Sequence, residues 1–487
     1  MKNKKPEKGA SKGSILIELP SELKHMAAPI LALVASAKAI LRSSGGGSAV
    51  DYVAVEQEIE EKTAAVERSS HAAILQSLEV DRPEVVVQGQ IYRRVGHGLG
   101  KYYTKAGPVR IPRAIYRESG QRHGKTVDAI SLRTGAVGDG WLPAAAEAMA
   151  FMLQQGTSRE AEAAAKMSGR LCYGRASFER IPHAVAARYL RHQADIEDAT
   201  AQSFVIPDHA FSISVGIDRV SMPMEEPGKK PVGRPKKGAP INPIVRAYRM
   251  AYCGCLTIHD AEGHAIRTFR YGTMPANDPD HLCSRMANDA GWLMEQRPDL
   301  QLMLLADGAH EMWNLLELHF SEESFGKCHR LVDFWHAIEK LSLAAKVIHG
   351  SEGGKMTLER WRNQLRRNSK AAEAILRELE ESGHEFSRLQ DKTPVHEAMT
   401  YLANHSRVEN RMNYAAARRK KLPIGSGNVE ATCKCLVETR MKRAGSRWKT
   451  KTGEHLLQLR SLALSDRWEE AMELLHARYR TSVRPAA

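Results

Sequence analysis

The sequence predicts an α/β protein of several domains, built on a mixed sheet flanked by helices, and three observations carry that prediction. First, SISVGIDRV (212–220), AYRMAYCGCLTIHD (247–260) and AIRTFRYGTM (265–274) follow one another as strands, the last two joined by Ala261–His264. Second, strands then alternate with helices: an amphipathic helix over 281–297, the apolar run LMLLADG (302–308), a helix over 310–319, and CHRLVDF (328–334) before a long helix. A continuous apolar run such as LMLLA suits a strand covered on both faces. Third, residues 351–421 are polar and helical in period without strand signal, so they read as a helical insertion.

The remaining elements follow in order. Residues 1–83 read as a basic tail and two N-terminal helices, the tail holding five lysines and one acid over 1–13 and the helices split by SSGGGS. Residues 84–125 alternate Val, Ile and Tyr with polar residues between glycines, which predicts a small antiparallel β element. Residues 126–205 return to helix. Within them, 160–185 reads as helix, glycine-bearing turn, helix, and two readings stay open. One is a helix-turn-helix presenting Tyr173, Arg175, Ser177 and Arg180 to DNA; the other is an ordinary helical hairpin. The sheet and its helices occupy 206–350, and 422–487 supplies closing helices. Pro423 and two glycines announce one of them, with Ser426 or Asn428 as its cap.

The 487 residues suffice for two to four domains, and at 43% hydrophobic most of the chain should be globular. Lysine and arginine exceed the acids by 14, which points to a polyanionic partner, nucleic acid before an acidic membrane. Seven cysteines, an odd number, suit reduced thiols in a cytosol. Residues 27–41 mimic a signal-peptide core, but Lys38 interrupts them and they read as an amphipathic helix. No uninterrupted run reaches the roughly 18–20 apolar residues of a membrane span, so no membrane partner is expected. Neither Cys253-x-Cys255 nor Cys433-x-Cys435 has zinc-ribbon spacing. No phosphate-binding Gly-x-x-x-x-Gly-Lys loop exists, so no ATP use is expected.

Asp218 and Asp307 fall at or near C-terminal ends of predicted strands, the edge where open α/β sheets bind ligands. If the strands are neighbours the carboxylates converge, and their repulsion calls for a cation. Oxygen ligands and a phosphate-rich partner favour Mg²⁺. Glu430 is the best third acid, and Glu438 competes. Each has an alternative as an i,i+4 partner of Lys434 or Lys442, and an Asp after a strand is also a common helix cap. GKKPVGRPKKGAP (228–240) is basic and free of acids; around Gly233-Arg234-Pro235 it resembles an AT-hook for a narrow minor groove, or is a solvated loop. Lys229, Lys230, Arg234, Lys236 and Lys237 are its cations. Residues 410–449 hold eleven Lys/Arg against two acids, with Arg440, Lys442, Arg443 and Arg447 placed to meet phosphates. Trp448 could stack on a base or pack in the core.

Taken together and in this order, IDRV, LLADGA, LVDFWHA and GSGNVEA with the downstream RMKRAGSRW resemble the DDE transposases of bacterial insertion sequences, most nearly the ISKra group. The likeness covers roughly 211–470. It implies an RNase H-like catalytic core and the triad Asp218, Asp307 and Glu430 as both catalytic and metal-binding residues. It also implies Asp333-x-x-His336 as an accessory element, which otherwise reads as a helix cap with a first-turn partner. The implied activity is cleavage and strand transfer with two Mg²⁺ ions, Mn²⁺ substituting. The implied partners are double-stranded DNA, as element ends and target, and at least a second copy of the chain, in the bacterial cytoplasm at the nucleoid. Two alternatives remain: a non-catalytic DNA-binding regulator or architectural protein of transposase descent, and a metal-dependent nuclease.

Overall fold

The structure, a computed structural model, describes residues 18–43, 47, 49–228, 233, 244–382, 393–408 and 410–486. It is mixed α/β. The described strands are β1 (Glu84–Val87), β2 (Gln90–Thr104), β3 (Gly107–Glu118), β4 (Thr126–Val127), β5 (Ala210–Pro227), β6 (Ile244–Asp260), β7 (Ala265–Thr273), β8 (Gln301–Ala306), β9 (His329–Val332) and β10 (Val483–Pro485). The chain divides into two compact units.

The first unit comprises 1–146, 162–174 and 479–487. Its sheet has the order β10-β1-β2-β3-β4, antiparallel throughout. The long β2–β3 hairpin turns at Gly107, whose φ of 120° lies outside the range that suits other residues. Thr104 Oγ1 donates to the Gly107 carbonyl (2.8 Å) and secures the turn. β10 adds the chain's last residues beside β1, pairing Val87 with Val483. Two helices precede the sheet, Ala27–Ser43 and Tyr52–Ser77, the second capped by Asp51. They meet through Ser36, which donates to Glu58 (2.6 Å). The segment Ser21–Ser43 is long and apolar enough to cross a membrane by length and composition; Lys38 breaks the apolar run without bringing it below that mark.

The second unit comprises 147–161 and 175–478. Its sheet has the order β7-β6-β5-β8-β9: β5, β6 and β7 are antiparallel, and β8 and β9 run parallel to β5. Ile213, Val215, Ile217, Leu302, Leu304 and Leu305 are buried at its centre. Glycines let helices approach both faces. A Cβ on Gly254 would lie 2.4 Å from Met286 Sδ, on the helix Pro279–Gln296. On the opposite face, a Cβ on Gly216 would lie 3.1 Å from Val429 Cβ, on the helix Gly427–Cys433.

Beyond β9 the chain forms the helix Phe334–Arg367, broken at Gly350 (φ 72°), then Ala371–Ser382, Pro394–Leu402, a π-helical turn Ala403–Val408, and Tyr414–Arg419. This helical segment is anchored to the sheet. The Arg411 carbonyl accepts from Val332 N (2.9 Å), and the Arg411 guanidinium lies over Trp313 and donates to Glu317 (2.7 Å). A buried polar network braces the other side. Glu197 receives Arg285 (2.8 and 2.5 Å), Tyr189 (2.7 Å) and Gln193 (3.1 Å), and Arg467 pairs with Asp289 (2.6 Å).

Candidate active site

Strand periodicity aims the first carboxylate. Gly216, which faces Val429, pairs with Cys255, and Asp218, two residues on, pairs with Cys253. Asp218 is therefore on the face covered by the helix that carries Glu430. Register sets the next two. Gly216 is level with Leu305 across the parallel β5–β8 pair, so Asp307 is level with Asp218. Ala306 is level with Val332 across β8–β9, and Asp333 N donates to the Ala306 carbonyl (2.8 Å). Asp307 and Asp333 thus follow the C-terminal ends of β8 and β9, whereas Asp218, expected near a strand end, sits level with them inside β5, which runs on to Pro227 because its outer half stays paired with β6.

Each side chain is held differently. Asp218 Oδ1 accepts from Arg219 N (2.6 Å), and the Cys433 thiol approaches its Oδ2 (3.9 Å). Asp307 Oδ1 accepts from Ala309 N (2.9 Å), turning the chain into the helix His310–His319. Asp333 is fully buried: Oδ1 caps the helix Phe334–Arg367 through His336 N (2.7 Å), and Oδ2 accepts from Ser426 N in the loop that launches the Glu430 helix. Asp333, His336 and Glu430 offer ligand atoms within 4.8 Å of one another.

Electrostatics tie the group together. Burial pushes the Asp218 carboxyl above its ordinary pKa, and the charges of Asp307 and Glu430 add to the rise while His336 opposes it. Burial would also raise Asp333, but hydrogen bonds from His336 and Ser426 outweigh it and hold the group low. The Asp333 carboxylate in turn raises the pKa of His336, whose Nδ1 is 3.7 Å away. Among the described residues no Lys or Arg pairs with Asp218, Asp307 or Glu430; Arg219, the nearest in sequence to Asp218, is taken by Glu311 (2.5 Å). A cluster of like charges with oxygen donors and no Lys or Arg partner among the described residues is suited to a hard divalent ion.

Two residues that the sequence does not single out shape the turn after Asp307. The Tyr401 hydroxyl donates to the Asp307 carbonyl (3.1 Å). Gly308 has φ 101°, and a Cβ there would lie 2.7 Å from His405 Nε2 and 2.9 Å from the Tyr401 ring. Both side chains come from the helical segment, the second from its π-helical turn, and no pattern links them to a strand end 94 residues earlier. A cavity of about 430 Å³ opens beside Gly308, with His310, Lys340, His396 and Glu397 in its wall.

Other sequence expectations fare differently. Glu438 is exposed and pairs with Lys442 (3.0 Å), and the group formed by Asp333, His336 and Glu430 does not include it. Arg440 is buried, not displayed to phosphates: its guanidinium donates to the Leu153 carbonyl (3.3 and 3.2 Å) and lies over Trp448, and burial pulls its pKa down to about 10. Arg443 is held by Glu160 (2.8 and 2.6 Å), while Arg447 is exposed. Trp448 packs against the core beside Met441, whose carbonyl accepts from its indole (2.8 Å). Helices Ser158–Met167 and Arg175–Leu190 flank the proposed glycine turn, but Tyr173 turns inward, donating to the Thr104 carbonyl (2.6 Å) against Tyr103 and Trp141. Arg175 is engaged by Ser158 and Glu179. Lys229, Lys230, Arg234, Lys236 and Lys237 lie outside the described residues, as does the 1–13 tail.

Compared with protein-family models, curated proteins and solved structures, the chain matches none.

Proposed function

We propose that this protein is an insertion-sequence transposase whose RNase H-like core cuts element ends and joins them to target DNA. One observation carries the reading: Asp333, His336 and Glu430 cluster where β8 and β9 end, Asp218 and Asp307 lie level with one another on the neighbouring strands and feel their charges, and Asp218, Asp307 and Glu430 pair with no Lys or Arg among the described residues. The mixed sheet with antiparallel β5–β7 and parallel β8 and β9 supports it, as do the sequence resemblance and the net charge of +14.

Asp218, Asp307 and Glu430 would hold Mg²⁺, or Mn²⁺ in its place. Such ions activate a water or a 3′-hydroxyl and stabilise the departing oxygen. The chain's own residues do the rest. Ala309 N and Tyr401 fix the Asp307 turn, leaving carboxylate Oδ2 for a ligand. Asp333 ties the His336 helix to the loop before Glu430, so the two side chains keep a constant separation. His336, made more basic by Asp333, would offer a ring N–H to a phosphate oxygen. Two ends cut in concert require at least two copies of the chain.

The test is a duplex carrying the element's end sequence, with Mg²⁺. Nicks together with strand-transfer products support the proposal; nicks alone indicate a nuclease, and binding alone a regulator. Asp307→Asn should retain DNA binding and lose cleavage. Unchanged cleavage in that variant removes Asp307 from the mechanism.

A further inference from the structure

We propose that the outer segment of β6, Ile244–Met250, is a contact surface for duplex DNA alongside the phosphate being cut, an inference that rests on the function proposed above. β6 has two neighbours only over its inner half. β7 ends at Thr273, paired with Tyr252, and beyond that point, among the described residues, β6 pairs with β5 alone as far as Ile244 with Pro227. β5 is braced there: Met222 and Met224 are buried, and Trp448 exchanges backbone hydrogen bonds with Pro223 and Glu225 (3.1 and 2.8 Å). The outer half of β6 is left as an open edge, with Ile244 54%, Tyr248 57% and Met250 40% exposed. The Arg246 guanidinium lies 5.1 Å over the Tyr248 ring.

An open edge with apolar side chains invites either a second strand or another kind of partner. Charge selects between them. Residues 228–250 contain seven Lys/Arg and no acid. On the neighbouring strand Glu226 is chelated by Arg249 (2.7 and 2.8 Å), and Glu225, opposite Arg246, is approached by Lys449 (3.6 Å). A second copy of so basic a sequence is repelled by it, whereas a polyanion is attracted.

The strand also sets a scale. Asp218 is level with Cys253, and an antiparallel strand rises about 3.4 Å per residue. Tyr248 is therefore roughly 17 Å and Ile244 roughly 30 Å along the strand from the carboxylates. DNA rises by about the same 3.4 Å per base pair, so for a duplex lying along the strand, as proposed, the two positions correspond to about five and nine base pairs from the cut.

The experiment places a photo-crosslinking amino acid at position 248 or 244 of the full chain and maps its adducts on the end-containing duplex. Adducts centred about five and nine base pairs from the cleavage position are expected. Adducts to a second copy of the chain, adducts that do not shift between the two positions, or no DNA adducts while the chain still cleaves, would each overturn the surface and leave the transposase reading standing. In parallel, Arg246→Gln should flatten the dependence of log affinity on log salt by about 0.9, measured on a mixed-sequence duplex. An unchanged slope overturns the inference. If the unmodified chain cleaves no DNA, the functional reading fails, and the salt slope then tests the surface by itself.

Discussion

Replacing Asp333 with alanine should uncouple the two halves of the site. The carboxylate is fully buried and accepts from His336 N at one oxygen and from Ser426 N at the other. Losing the helix cap costs about 1 kcal/mol. Leaving the buried Ser426 N–H without a partner costs a further 1–3 kcal/mol, roughly. The expected destabilisation is therefore about 2–4 kcal/mol, read from urea unfolding followed through the buried indoles Trp313 and Trp361. Acid supplies an independent check. Burial would raise this carboxyl, but the hydrogen bonds from His336 and Ser426 hold its folded pKa below the ordinary value. Its stabilisation is then complete above the unfolded pKa of about 3.9 and is lost as pH falls through the folded value. Because Asp333 also raises the pKa of His336, the gap between wild type and variant should grow as pH falls through the His336 titration, stay large down to the carboxyl's unfolded pKa, and close in stronger acid. A gap under about 0.5 kcal/mol at pH 7 would refute the reasoning; so would a gap that goes on widening below the carboxyl's unfolded pKa of about 3.9.

Three further outcomes are expected. Tyr401→Phe removes the hydroxyl that donates to the Asp307 carbonyl and should cost about 1 kcal/mol in the same urea experiment, with weaker Mn²⁺ binding in a calorimetric titration as the Asp307 turn loosens. Glu197→Gln leaves Arg285 buried without its counter-charge and should cost about 3–5 kcal/mol in the same urea experiment. Arg440→Met should alter stability but leave the salt dependence of DNA affinity unchanged, because the guanidinium is inside the fold; a flatter slope would return Arg440 to the DNA surface.

Much of the architecture was legible because it is local. The apolar run at 302–306 and the 3.6-residue period at 310–319 specify a strand and a helix without reference to the rest of the chain. Alternation along β5 indicates that Asp218 shares a face with Gly216, but that Asp307 and Asp333 are level with it depends on parallel register. Register is set by packing, which spacing does not encode. Asp333 meets Ser426 across 93 residues, and Tyr401 meets Asp307 across 94. Nothing local marks either pair. Arg440 was misplaced for a specific reason. The π-helical turn Lys434–Glu438 inserts an extra residue, and later positions rotate by about 100° from where an unbroken α-helix would put them. A basic stripe extrapolated from Glu430 therefore ends with one member facing inward.

The pairing of β10 with β1 has a consequence for how the polypeptide is made. About 400 residues, including nearly all of the larger unit, separate the two strands. At about 5–20 residues per second on the ribosome, β1 to β4 are translated roughly 20–80 s before their last neighbour exists. Through that interval the β1 edge is an unsatisfied template, and a peptide fused after Ala487 would extend from the strand that finally closes it.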